Sequence, residues 1–202
     1  MSYEQTFLSL IALWLGLGYL IGSIPFGLVL ARLMGLGNLR DIGSGNIGAT
    51  NVLRTGSKLA AALTLLLDGG KGALAVVLAN TITGGDLGLF AGLGAMIGHC
   101  YPIWLRFAGG KGVATFLGIM LALNFWAGLG CCAAWLVGAL STRISSMGAL
   151  VSAIAAVPLM YLLHSPEAAV VAALLAALIY WRHRSNIARI RAGTEPKIGQ
   201  KG

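Results

Sequence analysis

The stretch GVATFLGIMLALNFWAGLGCCAAWLVGALST, residues 112–142, runs 31 residues without a charged side chain. As one helix it would reach about 46 Å, against a bilayer hydrocarbon core of roughly 30 Å. The alternative is two shorter helices folded back near Asn124. The flanking cations decide between them. Other charge-poor runs lie at 6–31, 59–79, 87–105, 144–166 and 168–181. Arg32, Arg40, Arg54 and Lys58 make the first loop cytoplasmic, and the weakly polar loop at 81–86 is then outside. Arg106 and Lys111 return inside. Two crossings over 112–142 keep Arg143 inside, put 164–167 outside, and leave Arg182, Arg184, Arg189 and Arg191 inside. A single crossing would strand either Arg143 or the arginine-rich tail on the wrong side. The fold expected is therefore all-α and polytopic: seven transmembrane helices with short loops, the N-terminus outside and the C-terminus cytoplasmic.

Composition agrees. Of 202 residues, 57% are hydrophobic and 10% charged, against about 25% charged in an ordinary soluble domain. Residues 1–202 are read as one integral membrane domain. The net charge of +8 would invite nucleic acid in a soluble protein. Here the cations border apolar runs, so membrane orientation accounts for most of them and anionic lipid or an anionic substrate for the rest. No nucleic acid and no obligate protein partner is expected. Cys100, Cys131 and Cys132 lack metal-ligand or CxxC spacing and read as small buried hydrophobes. The first apolar run is too long for a cleavable signal and reads as the first span.

The polar residues gather in three clusters on the cytoplasmic side. The first is RDIGSGNIGATNVLR, residues 40–54. Its GxGxxG follows a membrane span, so a dinucleotide fold is excluded. What survives is the chemistry. Gly45 and its neighbours allow backbone N–H groups close to an anion, and Ser44, Asn46, Thr50 and Asn51 add donors. Arg54 supplies a fork suited to phosphate. The second cluster, HCYPIWLRFAGGKGVAT at 99–115, places Gly109, Gly110, Lys111 and Gly112 at the start of a helix, where dipole and lysine both favour an anion. His99 fits a carbonyl-bonded histidine and a substrate contact equally. The third, YWRHRSNIARIR at 180–191, puts His183 and Asn186 on one helical face. Its other arginines suit anionic lipid equally well. Asp68 and Lys71 lie within a span, also three apart, as a functional pair or as an ion pair supporting the site.

Three further readings compete. An anion transporter would hold polar groups at the bilayer midplane in a repeated architecture; this chain concentrates them at one interface. The HxxxxD signature of soluble-type acyltransferases is absent, since Trp104 stands five after His99. A structural scaffold leaves three polar clusters without a role.

Together the clusters resemble the bacterial acyl-phosphate-dependent glycerol-3-phosphate acyltransferases. The matching pieces are GSIPFG (22–27), GSGNIGATN (43–51) with Arg54, DGGKG (68–72), Gly98-His99, Tyr101-Pro102, GGKGVAT (109–115), and RHRSNI (182–187) followed by Gly193 and Glu195. They run in order along nearly the whole chain. The resemblance implies transfer of a fatty acyl group from acyl phosphate to the 1-hydroxyl of glycerol 3-phosphate, giving lysophosphatidic acid and phosphate. It implies a seven-helix protein of the bacterial inner membrane with a cytoplasmic-side site, and no cofactor or metal. It assigns phosphate-binding and catalytic positions to Ser44, Asn46, Arg54, Lys111, Ser146, His183 and Asn186. Where the family pattern has a second serine after Ser146, this chain has Ala149. An acyl phosphate is already activated, so no enzyme nucleophile is required. His183 is the expected proton handler, titrating at about 6.5 if unperturbed, and Asn186 the expected orienting or oxyanion donor.

Overall fold

A computed structural model describes residues 2–198, and among them the chain forms ten α-helices, two short 3-10 turns and no strand. Helix α1 (Tyr3–Gly22) starts in a capping box: the Ser2 hydroxyl accepts from the Gln5 backbone N–H, and the Gln5 side chain accepts from that of Ser2. The apolar run at 6–31 is not one helix. It breaks at Ser23-Ile24-Pro25 before α2 (Phe26–Leu33). Pro25 has no N–H to continue the ladder and turns Ile24 out of helical geometry.

A broken helix in hydrocarbon leaves carbonyls that need donors. Lys71 donates to the Ile24 carbonyl at 2.6 Å, and the Trp104 indole to that of Ser23 at 2.9 Å. Lys71 also pairs with Asp68 at 2.7 Å, both nearly fully buried. The two charges in α4 (Lys58–Thr83) therefore close the α1–α2 break, which is the supporting role of the two alternatives.

The remaining path follows from capping. After the short α3 (Ala49–Leu53) and α4 come α5 (Gly88–Cys100), α6 (Val113–Leu123), α7 (Phe125–Thr142), α8 (Ser145–Leu163), α9 (Pro166–Arg182) and α10 (Arg184–Arg191). Asn124 divides the long apolar run, as expected. Its extended backbone ends α6, its side chain caps α7 at the Ala127 N–H, and its amide donates to the Leu163 carbonyl. Five stretches are long and apolar enough to cross a membrane: Glu4–Leu33, Lys58–Thr83, Gly88–Leu105, Phe125–Thr142 and Ser145–Leu163. Helices α6 and α9 are shorter, at 11 and 17 residues.

Helix α9 does not continue unbroken through His183. The Ile179 carbonyl accepts both the His183 backbone N–H, at 2.9 Å, and its ring nitrogen, at 2.8 Å. The shared acceptor relaxes the turn, and α10 starts afresh at Arg184.

Small residues set the packing of α1 on α5. Gly18 and Gly22 lie on the backbone of Ala91 and Ala95, and Gly94 and Gly98 on that of Leu15 and Tyr19, two GxxxG pairs that bring backbones into contact. A methyl group at Gly22 would lie 2.0 Å from the Ala95 carbonyl oxygen, and one at Gly98 would lie 2.1 Å from that of Tyr19. The helices at the second loop are short. Thirteen residues of α5 and eleven of α6 rise only about 20 and 17 Å, and the loop at 101–112 connects them. Gly98→Leu should therefore lower the thermal midpoint in detergent sharply or abolish monodisperse protein. Gly16→Leu, at a site with no neighbouring atom within 4 Å, should leave it unchanged. Equal midpoints in the two variants would remove the close helix contact as a stability determinant.

Candidate active site

The three polar clusters meet at one end of the bundle. Arg40 reaches the Ala108 carbonyl at 2.6 Å, Arg182 the carbonyls of Gly109 and Gly110 at 2.9 and 3.0 Å, and Thr50 the Ser145 hydroxyl at 3.3 Å. Between them lies a cleft of about 400 Å³ lined by Ser44, Gly45, Asn46, Gly109 and Lys111, with Arg40, Phe107, Ala108, Arg182, Arg184 and Ser185. The two glycine loops were expected as two anion cradles; they are two walls of one cleft.

The glycines serve differently from the expected N–H cradle. The Ser44 N–H and hydroxyl both donate to Asn51 Oδ1, at 3.1 and 3.3 Å, and the Gly45 N–H goes to the Ile42 carbonyl. Asn51 is buried and gives its amide to the carbonyls of Leu39 and Asn46. It shapes the loop from within, and Thr50 faces α8. Gly43, at φ +53°, lets the Arg54 side chain lie across it, 2.5 Å from where a Cβ would stand. Arg54 itself donates to Asn51 at 3.3 Å.

In the second loop the Gly109 and Gly110 N–H groups return to the carbonyls of Cys100 and His99, at 3.2 and 3.1 Å. Gly110 sits on the His99 ring: a Cβ there would be 2.1 Å from Nε2. His99 is buried, with Nδ1 3.8 Å from Asp68. It therefore lies beneath the loop at Gly110, with the Asp68–Lys71 pair next to it. Gly112 turns the chain at φ +82° into α6, over Met96.

Lys111 is the side chain this scaffold presents. Its ammonium donates to Asn186 Oδ1 at 2.6 Å. Asn186 Nδ2 donates to Glu195 Oε1 at 2.5 Å, and Glu195 also accepts from Ser146 and from Arg189, each at 2.7 Å. An ammonium only donates and a carboxylate only accepts, so the amide orientation is fixed. Burial pushes the Lys111 ammonium down to about 8, opposed by Glu195 and assisted by Arg189, Arg182 and Arg54. Burial would raise the Glu195 carboxyl, but the hydrogen bonds from Asn186, Ser146 and Arg189 hold it below the usual range.

His183 is 2% exposed. A carbonyl can only accept, so its contact with Ile179 fixes Nδ1 as the protonated nitrogen and leaves Nε2 its lone pair. Burial pushes the imidazole down to about 4, against the Ile179 hydrogen bond. The ring is therefore neutral near pH 7, and the ordinary value near 6.5 does not apply.

Sequence reasoning passed over three site residues. Glu195 holds Asn186 and Ser146 together; its signal was one acid behind a basic helix. Arg182, next to His183, read as a charge that keeps the tail inside. Arg40 read as an orientation charge.

Residues 12–193 match the family described as glycerol-3-phosphate acyltransferase. A glycerol-3-phosphate acyltransferase of Roseobacter denitrificans is 73% identical over 197 residues, spanning 98% of each chain. One from a Ruegeria species is 64% identical over the same span. The crystal structure of PlsY (YgiH), an integral membrane glycerol 3-phosphate acyltransferase, in its glycerol 3-phosphate form superimposes with a TM-score of 0.87 at 37% identity, covering 94% of this chain and 96% of that one. Its lysophosphatidic acid form gives 0.86 at 36%, over 94% and 95%. With helices suited to a bilayer, one polar cleft and relatives matched over almost their full length, the chain belongs to the glycerol-3-phosphate acyltransferase family of integral membrane proteins.

Proposed function

We propose that this chain transfers a fatty acyl group from acyl phosphate to the 1-hydroxyl of glycerol 3-phosphate in a bacterial inner membrane, giving lysophosphatidic acid and phosphate. The observation that carries the reading is the single cleft in which Ser44, Asn46 and Lys111 converge, with His183 and Asn186 behind it. The relatives' names and the two liganded forms of the solved neighbour support glycerol 3-phosphate as acceptor. The absence of any need for a covalent nucleophile favours a pre-activated donor. In this reading the site faces the cytoplasm, α6 and α9 complete seven crossings, and the N-terminus is outside. The deeper charges, Asp68 and Lys71, are paired to each other, which counts against a transport path.

The acceptor hydroxyl attacks the acyl carbonyl carbon, the bond to the phosphate oxygen breaks, and inorganic phosphate leaves. Held by Asn186, Lys111 keeps two further N–H donors for the phosphate and the developing oxyanion. On the opposite wall Asn46 lines the cleft, and Arg54, which gives one N–H to Asn51, keeps further donors. Neutral His183 accepts the hydroxyl hydrogen bond at Nε2 and aims the oxygen. An imidazole at about 4 is a poor resting place for a proton; phosphate, with a second pKa of about 6 in its esters, is the better one. His183 therefore orients and relays, and the departing phosphate takes the proton.

Four measurements bear on this. Lys111→Ala and Arg54→Ala should each lower kcat/KM by about a hundredfold or more, about 3 kcal/mol; wild-type turnover in both would remove the anion site. For the wild type, kcat/KM should decline above about pH 8 as Lys111 loses its proton. His183→Gln should lower kcat by about a hundredfold or more without changing the acid side of the profile between pH 5 and 7. An acid limb near 6.5 that vanishes in His183→Gln would instead make the histidine the proton acceptor. Single cysteines near Gly84 and His164 should label from outside, and those near Gly45, Ala108, Arg143 and Gly193 from inside; labelling of Arg143 from outside only would cancel the double crossing.

A further inference from the structure

Three consecutive carbonyls of the second loop, those of Ala108, Gly109 and Gly110, each accept from an arginine that lies far away in sequence. Arg40 Nη2 takes Ala108 at 2.6 Å. Arg182 takes Gly109 through Nη2 at 2.9 Å and Gly110 through Nε at 3.0 Å. The N–H groups of Gly109 and Gly110 point the opposite way, to the last carbonyls of α5. The peptide planes are thus held from both sides, and the residue that follows is Lys111. Arg182 is itself fixed, its guanidinium 5.0 Å over the Tyr101 ring.

We propose that Arg182 and Arg40 are positioning residues for the acyl transfer: together they clamp the carbonyls of residues 108–110 and so hold Lys111 in register over the cleft. The inference rests on the reaction proposed above. Its physical basis is the freedom of the segment being held. A loop with two adjacent glycines has little stiffness of its own, and a catalytic ammonium displaced by about 1 Å forfeits on the order of a hundredfold in rate. The clamp also removes a competitor. Carbonyl oxygens turned into the cleft would repel a phosphate; bonded to guanidinium groups, they are neutralised. Each guanidinium carries five N–H donors in a planar fork, so Arg182 and Arg40, which both line the cleft, keep donors for the anion while binding the loop. A lysine keeps the charge but cannot span two carbonyls.

The test uses the full-length protein in detergent or nanodiscs. Hydrogen exchange over residues 101–112 is read together with steady-state kinetics, varying glycerol 3-phosphate and acyl phosphate in turn. Wild-type turnover with these substrates is the control for the reaction itself; its failure would remove the proposed function, not the clamp, which the exchange measurement reads independently. Arg182→Lys should speed exchange at the Gly109 and Gly110 amides and lower kcat/KM by about tenfold or more, with the alkaline limb near pH 8 kept. Arg182→Gln should do the same and also move that limb upward, because a cation facing Lys111 is gone while Glu195, Arg189 and Arg54 remain. A merely structural role would lower the yield of folded protein without speeding exchange at these two amides or lowering the rate per folded molecule. Arg40 is exposed, so Arg40→Lys tests the clamp without risk to folding and should give a smaller change of the same kind. Unchanged loop exchange and unchanged kinetics in Arg182→Lys and Arg40→Lys, beside an active wild type, would overturn the proposal.

Discussion

Crowded positive charge is the constraint on which the site depends. Burial does most to lower the proton affinity of Lys111, and Arg189, Arg182 and Arg54 lower it further against the pull of Glu195. The fold answers with acceptors rather than with distance. Backbone carbonyls of the second loop take two of the guanidinium groups, Asn186 takes the ammonium, and Glu195 takes Arg189 and the amide of Asn186. Every cation is thereby pinned in direction while keeping donors to spare. A phosphate dianion is the natural complement of that arrangement, because it satisfies the donors left over and relieves the repulsion among their owners.

The polar chain from Lys111 to Ser146 extends this logic across the molecule. It joins the second loop, α10, the tail and α8, and the tail is anchored once more where the Ile198 N–H meets the Arg143 carbonyl. Segments that are distant in sequence therefore share one hydrogen-bond network, in which the geometry at Asn186 is set by what Glu195 holds on its far side. Such networks couple their members beyond pairwise sums.

Much of the fold was legible because bilayer thickness is a ruler. The run at 112–142 was too long for one crossing and had an asparagine where a cap was needed, and the chain does turn at Asn124. The gathering of polar residues at one end was legible from charge alone. The break in the first apolar run was missed because Pro25 sits in a charge-free stretch. What completes that break, the Lys71 ammonium and the Trp104 indole, comes from 47 and 81 residues away. The part the glycines play within the loops was not legible, as the N–H partners of Gly45, Gly109 and Gly110 show. Their N–H groups serve the loops, and their missing side chains admit Arg54 and His99. Glu195 was legible only as a piece of the family resemblance, since its role exists only once the tail has folded back onto α8 and α10.

The shortness of α5 and α6 has a consequence for substrate traffic. In the proposed crossings these helices, about 20 and 17 Å long, fall short of a hydrocarbon core of roughly 30 Å, so the loop between them, one wall of the cleft, meets lipid. Under the proposed reaction the fatty tail never has to be drawn into water. Each methylene kept in hydrocarbon is worth about 0.8 kcal/mol, so for a tail of about fifteen methylenes the extraction work avoided is on the order of 12 kcal/mol. The water-soluble partner makes the journey instead: glycerol 3-phosphate descends to the lipid, drawn by the cations around Lys111, and leaves as part of the bilayer it entered.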